Sequence, residues 1–320
     1  MSQSPISLGR KLRFSQIVVF EQVLRSGSIL RAAQVLNMTQ SAVTKVIHEL
    51  EHQLGAALLV RGNRGVSPTE FGELVARRAK SLLAELRYMS EEVNAFQQGT
   101  AGQVLVGTLI SASAVLLPRA IQLLKARAPA VVVTLRVAQM DQLLPALPVG
   151  DLDLVVGRVP EDGTWRTRSP QLEAETLYRE PLCFVGGIQH PLAAPTPATL
   201  RDLLAFPWIL PTRDSSLRQT ADRMFRDAGV TPPANVVESL SVLTNVALML
   251  DQATVGLMPD SAARQFAQAG LLAILPVPGL PDFGDIGCFA FTGREPAPAV
   301  ELFRSCLREA AAGIATPATA

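Results

Sequence analysis

Between Thr69 and Gln98 the chain runs for thirty residues without a proline, and its one glycine there, Gly72, stands near the start. Apolar residues recur along this segment in steps of four and three: Val75, Ala79, Leu82, Leu86, Met89, Val93 and Phe96. This heptad spacing predicts a helix about 45 Å long with a coiled-coil stripe. Such a stripe needs a partner surface, either its own domain or a second copy of the chain. We expect a second copy, and therefore a homodimer.

Charge divides the chain at the start of this helix. The whole chain has 29 basic and 28 acidic residues, and this net charge of +1 says nothing about a partner. Residues 1–68 carry eight Lys or Arg against three Glu, a balance of +5, so residues 69–320 carry −4. A positive segment of this size favours contact with nucleic acid, because phosphate attracts Lys and Arg.

The positive segment has the pattern of a helix-turn-helix. One amphipathic helix begins at Phe14, and a short second helix follows Ser28, which is placed to cap it. A brief turn at Asn37-Met38 leads to a third helix, capped by Thr39 and stopped by Gly55. Two short helices joined by a tight turn are typical of DNA-binding proteins.

Polar residues near the start of the third helix are the candidate DNA readers. Gln can bond adenine through two hydrogen bonds, Ser and Thr can bond base edges or phosphate, and Lys supplies charge. The segment 58–69 predicts a two-stranded wing that brings two further arginines to the backbone or minor groove. The alternative, a merely solvated polar face, is less favoured because of the tight turn and the +5 charge. The predicted DNA-binding set is Arg31, Gln40, Ser41, Thr44, Lys45, Arg61 and Arg64.

Beyond a glycine-containing break at 99–102, strand and helix patterns alternate, which predicts parallel βαβ units. Ser111 and Ser113 follow the first strand and precede a helix, and Gln139 follows the second strand. Ligands bind at the carboxyl ends of parallel strands, so these residues should share one crevice. Thr212 and Ser215 precede another helix, whose N-terminus could attract an anion. Each of these hydroxyls could instead be only a helix cap.

The sequence gives little support for metal binding, redox chemistry or catalysis. His48 to His52 spells the H-E-x-x-H zinc signature, but Leu50 and Leu54 of that helix belong to the helix-turn-helix core, so we expect no metal. Three scattered cysteines favour a reducing compartment, and we expect Cys183 and Cys288 to be buried. Without an apolar leader, a membrane span, a catalytic triad or a nucleotide fingerprint, the chain is expected to be cytoplasmic, without enzyme activity or cofactors.

The residues that build the positive segment 1–68, called the head below, resemble the LysR-type transcriptional regulators. The matching positions are Phe20, Ser28, Ala32-Ala33, Leu36, 39–44, Ile47, Leu50-Glu51, Leu54-Gly55, Leu58-Leu59, Arg61, Arg64, Pro68-Thr69 and Gly72. Weaker matches continue through the rest of the chain: Leu117-Pro118, 150–154, 190–192 and 255–259. Where family members often have a Thr after Gln139, this chain has Met140, which leaves a polar contact there open.

The resemblance implies a winged helix-turn-helix over 1–68, a dimerising linker helix over 69–98, and a two-lobed α/β effector domain over 99–320, like a periplasmic binding protein. Lobe I would comprise 99–176 and 277–320, and lobe II 177–276, with crossovers near Leu177-Tyr178 and Leu275-Pro276. The effector-binding set carried over or inferred is Ser111, Ser113, Gln139, Thr212 and Ser215.

We therefore expect a regulator that binds double-stranded promoter DNA under the control of a small effector, which the helix N-termini suggest is an organic anion. The family implies a homotetramer made from dimers, and RNA polymerase is a further candidate partner. The competing class is a cytoplasmic solute receptor or small-molecule enzyme on the same two-lobed body. The positive head and the missing leader argue against it.

Overall fold

A computed structural model describes residues 11–315 apart from 63, 64, 99, 100, 110, 111, 113, 162, 195, 252 and 281. Contacts divide the chain into two compact units, Met1–Ser90 with Pro148–Asp151, and Glu91–Leu147 with Leu152–Ala320. This division falls inside the long helix. It therefore does not test the predicted domain boundaries at 68 and 98, which stay predictions. No helix among the described residues is long and apolar enough to cross a membrane.

The first unit begins with the three predicted helices of the head. Its elements are α1 (Phe14–Ser26), α2 (Ile29–Val35), α3 (Gln40–Leu54), β1 (Leu59–Gly62), β2 (Gly65–Pro68) and α4 (Glu70–Gln98). The predicted caps are confirmed: the Ser28 hydroxyl accepts from the Arg31 N–H at 3.4 Å, and that of Thr39 from the Ala42 N–H at 3.2 Å. Gly55 ends α3 in the left-handed region, and Asn37 takes a φ of 52° in the turn.

Burial of one side of each helix fixes how the helices of the head are oriented. Phe20 and Val23 of α1, and Val43, Ile47 and Leu50 of α3, are almost completely buried in one apolar core. Burying side chains of this size contributes about 1.5–3 kcal/mol each, which holds α3 in one rotation about its axis. The opposite, polar side of α3 is thereby turned to solvent.

The wing is attached to α3, the helix that precedes it. Strands β1 and β2 pair antiparallel, with Arg61 opposite Val66. The Glu51 carboxylate of α3 accepts from the Leu58 and Leu59 N–H groups at 2.9 and 3.3 Å. Glu51 is therefore committed to holding the strand that follows its own helix.

The second unit is built on two sheet halves that share one strand. Its elements are β3 (Gly102–Thr108), α5 (Leu116–Arg127), β4 (Val131–Val137), α6 (Met140–Leu143), a 3-10 turn (Leu144–Ala146), β5 (Leu154–Arg158), α7 (Thr164–Arg168), β6 (Leu172–Gly187), a 3-10 turn (Pro191–Ala193), α8 (Leu200–Leu203), β7 (Trp208–Leu210), α9 (Ser216–Asp227), β8 (Val236–Glu238), α10 (Val242–Asp251), β9 (Val255–Pro259), α11 (Asp260–Gln268), β10 (Leu272–Leu275), β11 (Asp282–Phe291) and α12 (Pro298–Ala315). In the described part of the chain the strand order is β4-β3-β5-β11-β6-β9-β7-β8, with β10 also on β6.

Strand β6 changes partners along its length. Residues up to Pro181 pair with β11, whereas residues 182–185 pair with β9 and residues 184–187 pair with β10. The change lies a few residues beyond the predicted crossover at Leu177-Tyr178, whereas the chain leaves β10 at Leu275, next to the other predicted crossover. The first sheet half with its helices forms lobe I, and the second forms lobe II.

The first half of β6 carries charges that obscure its strand pattern. Glu175 accepts from Arg308 of α12 at 2.7 Å, and Glu173 lies 3.0 Å from Arg304 of the same helix. Only residues 182–187 have the apolar pattern that predicts a strand, because the acidic residues interrupt the alternation before them. Their partners lie more than a hundred residues away in the sequence, where local patterning does not reveal them.

The junction between wing and α4 generates a stability prediction. A Cβ added at Gly72 would lie far inside contact distance of the Leu58 carbonyl oxygen, whereas one added at Gly62 would meet open space. We expect Gly72→Ala to lower the free energy of unfolding of the head by about 1–3 kcal/mol through overpacking, and Gly62→Ala to have little effect. Urea unfolding of the two variants measures the difference. Equal midpoints would show that α4 can move away from Leu58 at no cost.

Candidate functional site

The N-terminal end of α3 presents one continuous polar surface. Gln40, Ser41, Thr44, Lys45 and His48 line a shallow depression there. Gln40, Ser41 and Lys45 are exposed, and Thr44 is half-buried. Positions separated by three or four residues lie on one side of a helix, which is why these side chains adjoin. This surface, called the reading face below, lies opposite the buried side of α3.

Two groups of the reading face make weak contacts with other protein groups. The Ser41 and Thr39 hydroxyl oxygens lie 3.1 Å apart, and the Lys45 ammonium is 4.0 Å from the Glu49 carboxylate. Exposed pairs of this kind are worth little, so they offer small resistance to a new partner. Arg31 is exposed on α2. The Arg61 side chain and Arg64 fall outside the described residues.

The apolar stripe of α4 is covered at its start and open further on. Ala79 is buried, and Val75 packs against the core of the head. The next four stripe residues, Leu82, Leu86, Met89 and Val93, are 41 to 56% exposed within one chain. The Phe96 side chain is outside the described residues. The stripe is therefore only partly used by its own unit.

A cavity of about 420 Å³ lies between the two lobes of the second unit. Lobe I contributes residues that follow parallel strands, including Leu109 after β3 and Gln139 after β4, together with Phe283 of β11. Lobe II contributes the start of α9, the loop before α10 and the face of β9. The cavity thus occupies the position at which ligands bind in open parallel sheets.

The predicted effector residues divide into three groups. Gln139 and Ser215 line the cavity, whereas Thr212 is not among the lining residues and its buried hydroxyl has no hydrogen-bond partner among the described groups. The Ser215 hydroxyl accepts from the Arg218 N–H at 3.2 Å, so it is also the cap of α9. Ser111 and Ser113 fall outside the described residues.

Sequence reasoning missed several polar groups of the wall: Gln142, Asp214, Ser239 and Asn245. Asn245 is the clearest case, since its side-chain oxygen is buried without a partner among the described residues. The one available signal was an Asn within a mostly apolar helix, α10. Among the described lining residues none is Lys, Arg or His, so no described side chain of the wall supplies positive charge.

A buried carboxylate lies where the two lobes join. Glu180 of β6 precedes the change of strand partners by one residue and is almost fully buried. It accepts from the Ser261 N–H at 3.0 Å and from the Ser261 hydroxyl at 2.9 Å, at the start of α11. Burial raises the pKa of Glu180 above its usual value. The carboxylate ties α11 of lobe II to the shared strand.

The cysteines are protected from ionisation. The Cys183 thiol donates to the Asp260 carboxylate at 2.9 Å. Burial raises the pKa of Cys183 and of Cys288 to about 12, and it also raises the pKa of Cys306. Cys288 is buried as predicted, and Cys183 is half-buried. A thiol with such a pKa carries almost no thiolate near neutral pH, so it reacts slowly.

Two family models match the chain, and together they cover most of it. The model described as "LysR substrate binding domain" matches residues 97–312, and "Bacterial regulatory helix-turn-helix protein, lysR family" matches residues 14–73. The first alone covers more than half of the chain.

Relatives and solved structures agree with these matches. The transcriptional regulator PcaQ of Agrobacterium fabrum is 30% identical over 94% of this chain and 96% of its own length. GbpR of Azospirillum brasilense is 29% identical over 95% of this chain and 88% of its own. The crystal structure of full-length CbnR in complex with its target DNA superposes with a TM-score of 0.66 at 22% identity, over 93% of this chain and all of that chain. The chain belongs to the LysR family of DNA-binding transcriptional regulators with an effector-binding domain.

Proposed function

We propose that the reading face of α3 recognises a promoter sequence and that a small molecule in the inter-lobe cavity modulates this binding. The observation that carries the proposal is that all four predicted readers of α3 line one accessible surface at a helix N-terminus. Free N–H groups and the helix dipole attract phosphate there, while Gln40 has the geometry to bond adenine through two hydrogen bonds. Arg31, Arg61 and Arg64 add positive charge for the phosphate backbone. This activity belongs in the bacterial cytoplasm, where promoter DNA is found.

The open part of the α4 stripe supports pairing of two copies. Four adjacent exposed apolar residues at coiled-coil spacing bury their surface when a second α4 lies alongside. A symmetric dimer presents two reading faces, which suits a promoter with two related half-sites. We further propose that two such dimers form the tetramer typical of the family. We also propose that the assembled protein contacts RNA polymerase.

We assign the cavity to effector binding and not to catalysis. Its described wall contains serine hydroxyls but no histidine or lysine that could act as their base, and Asp214 is its one ionisable lining residue. Because both lobes line the cavity, a ligand can stabilise one relation of the lobes over another. This is the physical requirement for a sensor.

The first prediction concerns base reading. Gln40→Ala should reduce the preference for the cognate promoter over scrambled DNA by about 1–3 kcal/mol, because a bidentate base contact is lost. Binding to scrambled DNA should change little. Fluorescence anisotropy with both DNAs at one salt concentration measures this, and Gln122→Ala, an exposed change on α5, is the control. An unchanged DNA footprint of Gln40→Ala at the promoter would show that this helix does not read the bases.

The second prediction concerns assembly. Met89→Lys with Val93→Lys places two charges on the stripe and should convert dimers to monomers or weaken them by at least about tenfold, since like charges would face each other. Ser90→Lys with Asn94→Lys adds the same charges at neighbouring exposed positions beside the stripe and should leave the dimer intact. Sedimentation equilibrium distinguishes the two. Equal assembly of both double variants would mean that α4 does not form the interface.

The third prediction concerns thiol chemistry. Native protein should resist alkylation by iodoacetamide at about pH 8, because its cysteines are buried or half-buried with raised pKa values. The protein in urea should react at all three cysteines. Mass spectrometry after timed quenching follows each site. Rapid modification of native Cys183 would instead make that thiol a candidate redox sensor.

A further inference from the structure

We propose that the effector is an uncharged, largely apolar molecule that carries one hydrogen-bond donor for Asn245. This inference rests on the proposed function, in which the inter-lobe cavity is the effector site. It replaces the organic anion expected from the sequence. Three properties of the cavity wall carry it: apolar surfaces on both lobes, the placement of the nearby charges, and one unpaired amide oxygen.

The apolar side chains face the cavity from both lobes. Leu109, Val137 and Phe283 come from lobe I, and Ile209, Met258 and Phe266 come from lobe II. A ligand that fills the space therefore meets hydrocarbon on two opposite sides. Binding sites of this size and lining take ligands whose buried surface is mainly apolar.

The charges near the cavity disfavour an anion. Asp214, the one ionisable residue of the described wall, directly precedes Ser215, the cap of α9. The Asp214 carboxylate would repel a negative group of a ligand at this end of the cavity. An anion buried against hydrocarbon without a cationic partner is strongly disfavoured.

Two arginines that contact lining residues, Arg218 at Pro211 and Arg158 at Phe283, do not themselves line the cavity. Arg218 of α9 is bound to the Asp222 and Glu238 carboxylates at 2.9 and 2.8 Å, and it also donates to the Pro211 carbonyl at 3.0 Å. Arg158 lies over the Phe283 ring, 5.4 Å from its centroid, and is not a lining residue. Neither guanidinium lines the cavity.

Asn245 gives the ligand its one specific contact in this proposal. Its side-chain oxygen is buried and accepts no hydrogen bond from the described residues, and Asn245 is one of the residues that line the cavity. Leaving a buried acceptor unpaired is unfavourable, and an N–H or O–H group of the ligand would satisfy it. Gln139 and Gln142 on the lobe I side of the wall can hold further polar atoms. An alcohol, phenol, amine or amide on an apolar skeleton meets these conditions.

Two fluorescent probes that differ by one charged group test the proposal on the full chain. N-phenyl-1-naphthylamine is uncharged and has one N–H donor, whereas 8-anilino-1-naphthalenesulfonate has the same skeleton with an added anionic group. We expect the uncharged probe to bind at least about tenfold more tightly and to raise the melting temperature, because a ligand of the native state stabilises it. Ser239→Trp, in a half-buried loop position of the wall, should abolish this binding by filling the cavity.

A second variant tests the hydrogen bond without closing the cavity. Asn245→Leu should weaken binding of the uncharged amine by about tenfold. It should not weaken binding of 1-phenylnaphthalene, which lacks the N–H. Gln122→Leu, outside the cavity, is the matched amide control. Loss of both probes in Asn245→Leu with an unchanged melting temperature would contradict the assigned role of the amide oxygen.

The outcomes separate this proposal from the function on which it rests. Equal or tighter binding of the sulfonate, sensitive to Ser239→Trp, would overturn the uncharged class while keeping the cavity as a ligand site. Failure of both probes to bind the unmodified chain would overturn the apolar class altogether. If the uncharged probe saturates the cavity but leaves promoter affinity unchanged, the ligand class stands and the regulatory role of the cavity fails.

Discussion

The backbone hydrogen bonds of β6 are the constraint on which the sensing unit depends. One strand of sixteen residues serves lobe I through β11 and then lobe II through β9 and β10. Because the same strand belongs to both sheet halves, the carboxyl ends of the lobe I strands face the loops of lobe II. The cavity lies in this space. Glu180 and Ser261 reinforce the point of change with two hydrogen bonds, which limits where the backbone can bend.

In the first unit, burial of one helix side decides what the other side can do. Val43, Ile47 and Leu50 anchor α3 in the head, so Gln40 and Lys45 stay accessible. The α4 helix follows the same rule along its length. Its apolar stripe packs against the head at Val75, is buried at Ala79 and is exposed from Leu82 to Val93. The helix thus joins a folded head to an apolar surface that requires a partner.

Local signals predicted the parts of this molecule whose contacts are local. Ser28, Thr39 and Gly55 cap or end helices through neighbours three or four residues away, and their roles are confirmed. The wall of the cavity depends on which strands lie side by side, and single-sequence patterns do not contain that pairing. Gln139 was found because it follows a strand. Asn245 was missed because it sits inside a helix, and the charged first half of β6 was missed because its partners lie on α12.

An apolar cavity wall is sufficient for regulation because a ligand acts only through its different affinity for two arrangements of the lobes. If closure around a ligand buries about 100 Å² more apolar surface than the open arrangement, it gains about 2.5 kcal/mol. That difference shifts the balance between arrangements by roughly 60-fold, within the range of allosteric coupling energies. Residues on both walls, such as Leu109 and Met258, can supply contacts of this kind. A charged contact would add selectivity, but the energy needed to bias the lobes is available from the hydrocarbon surfaces alone.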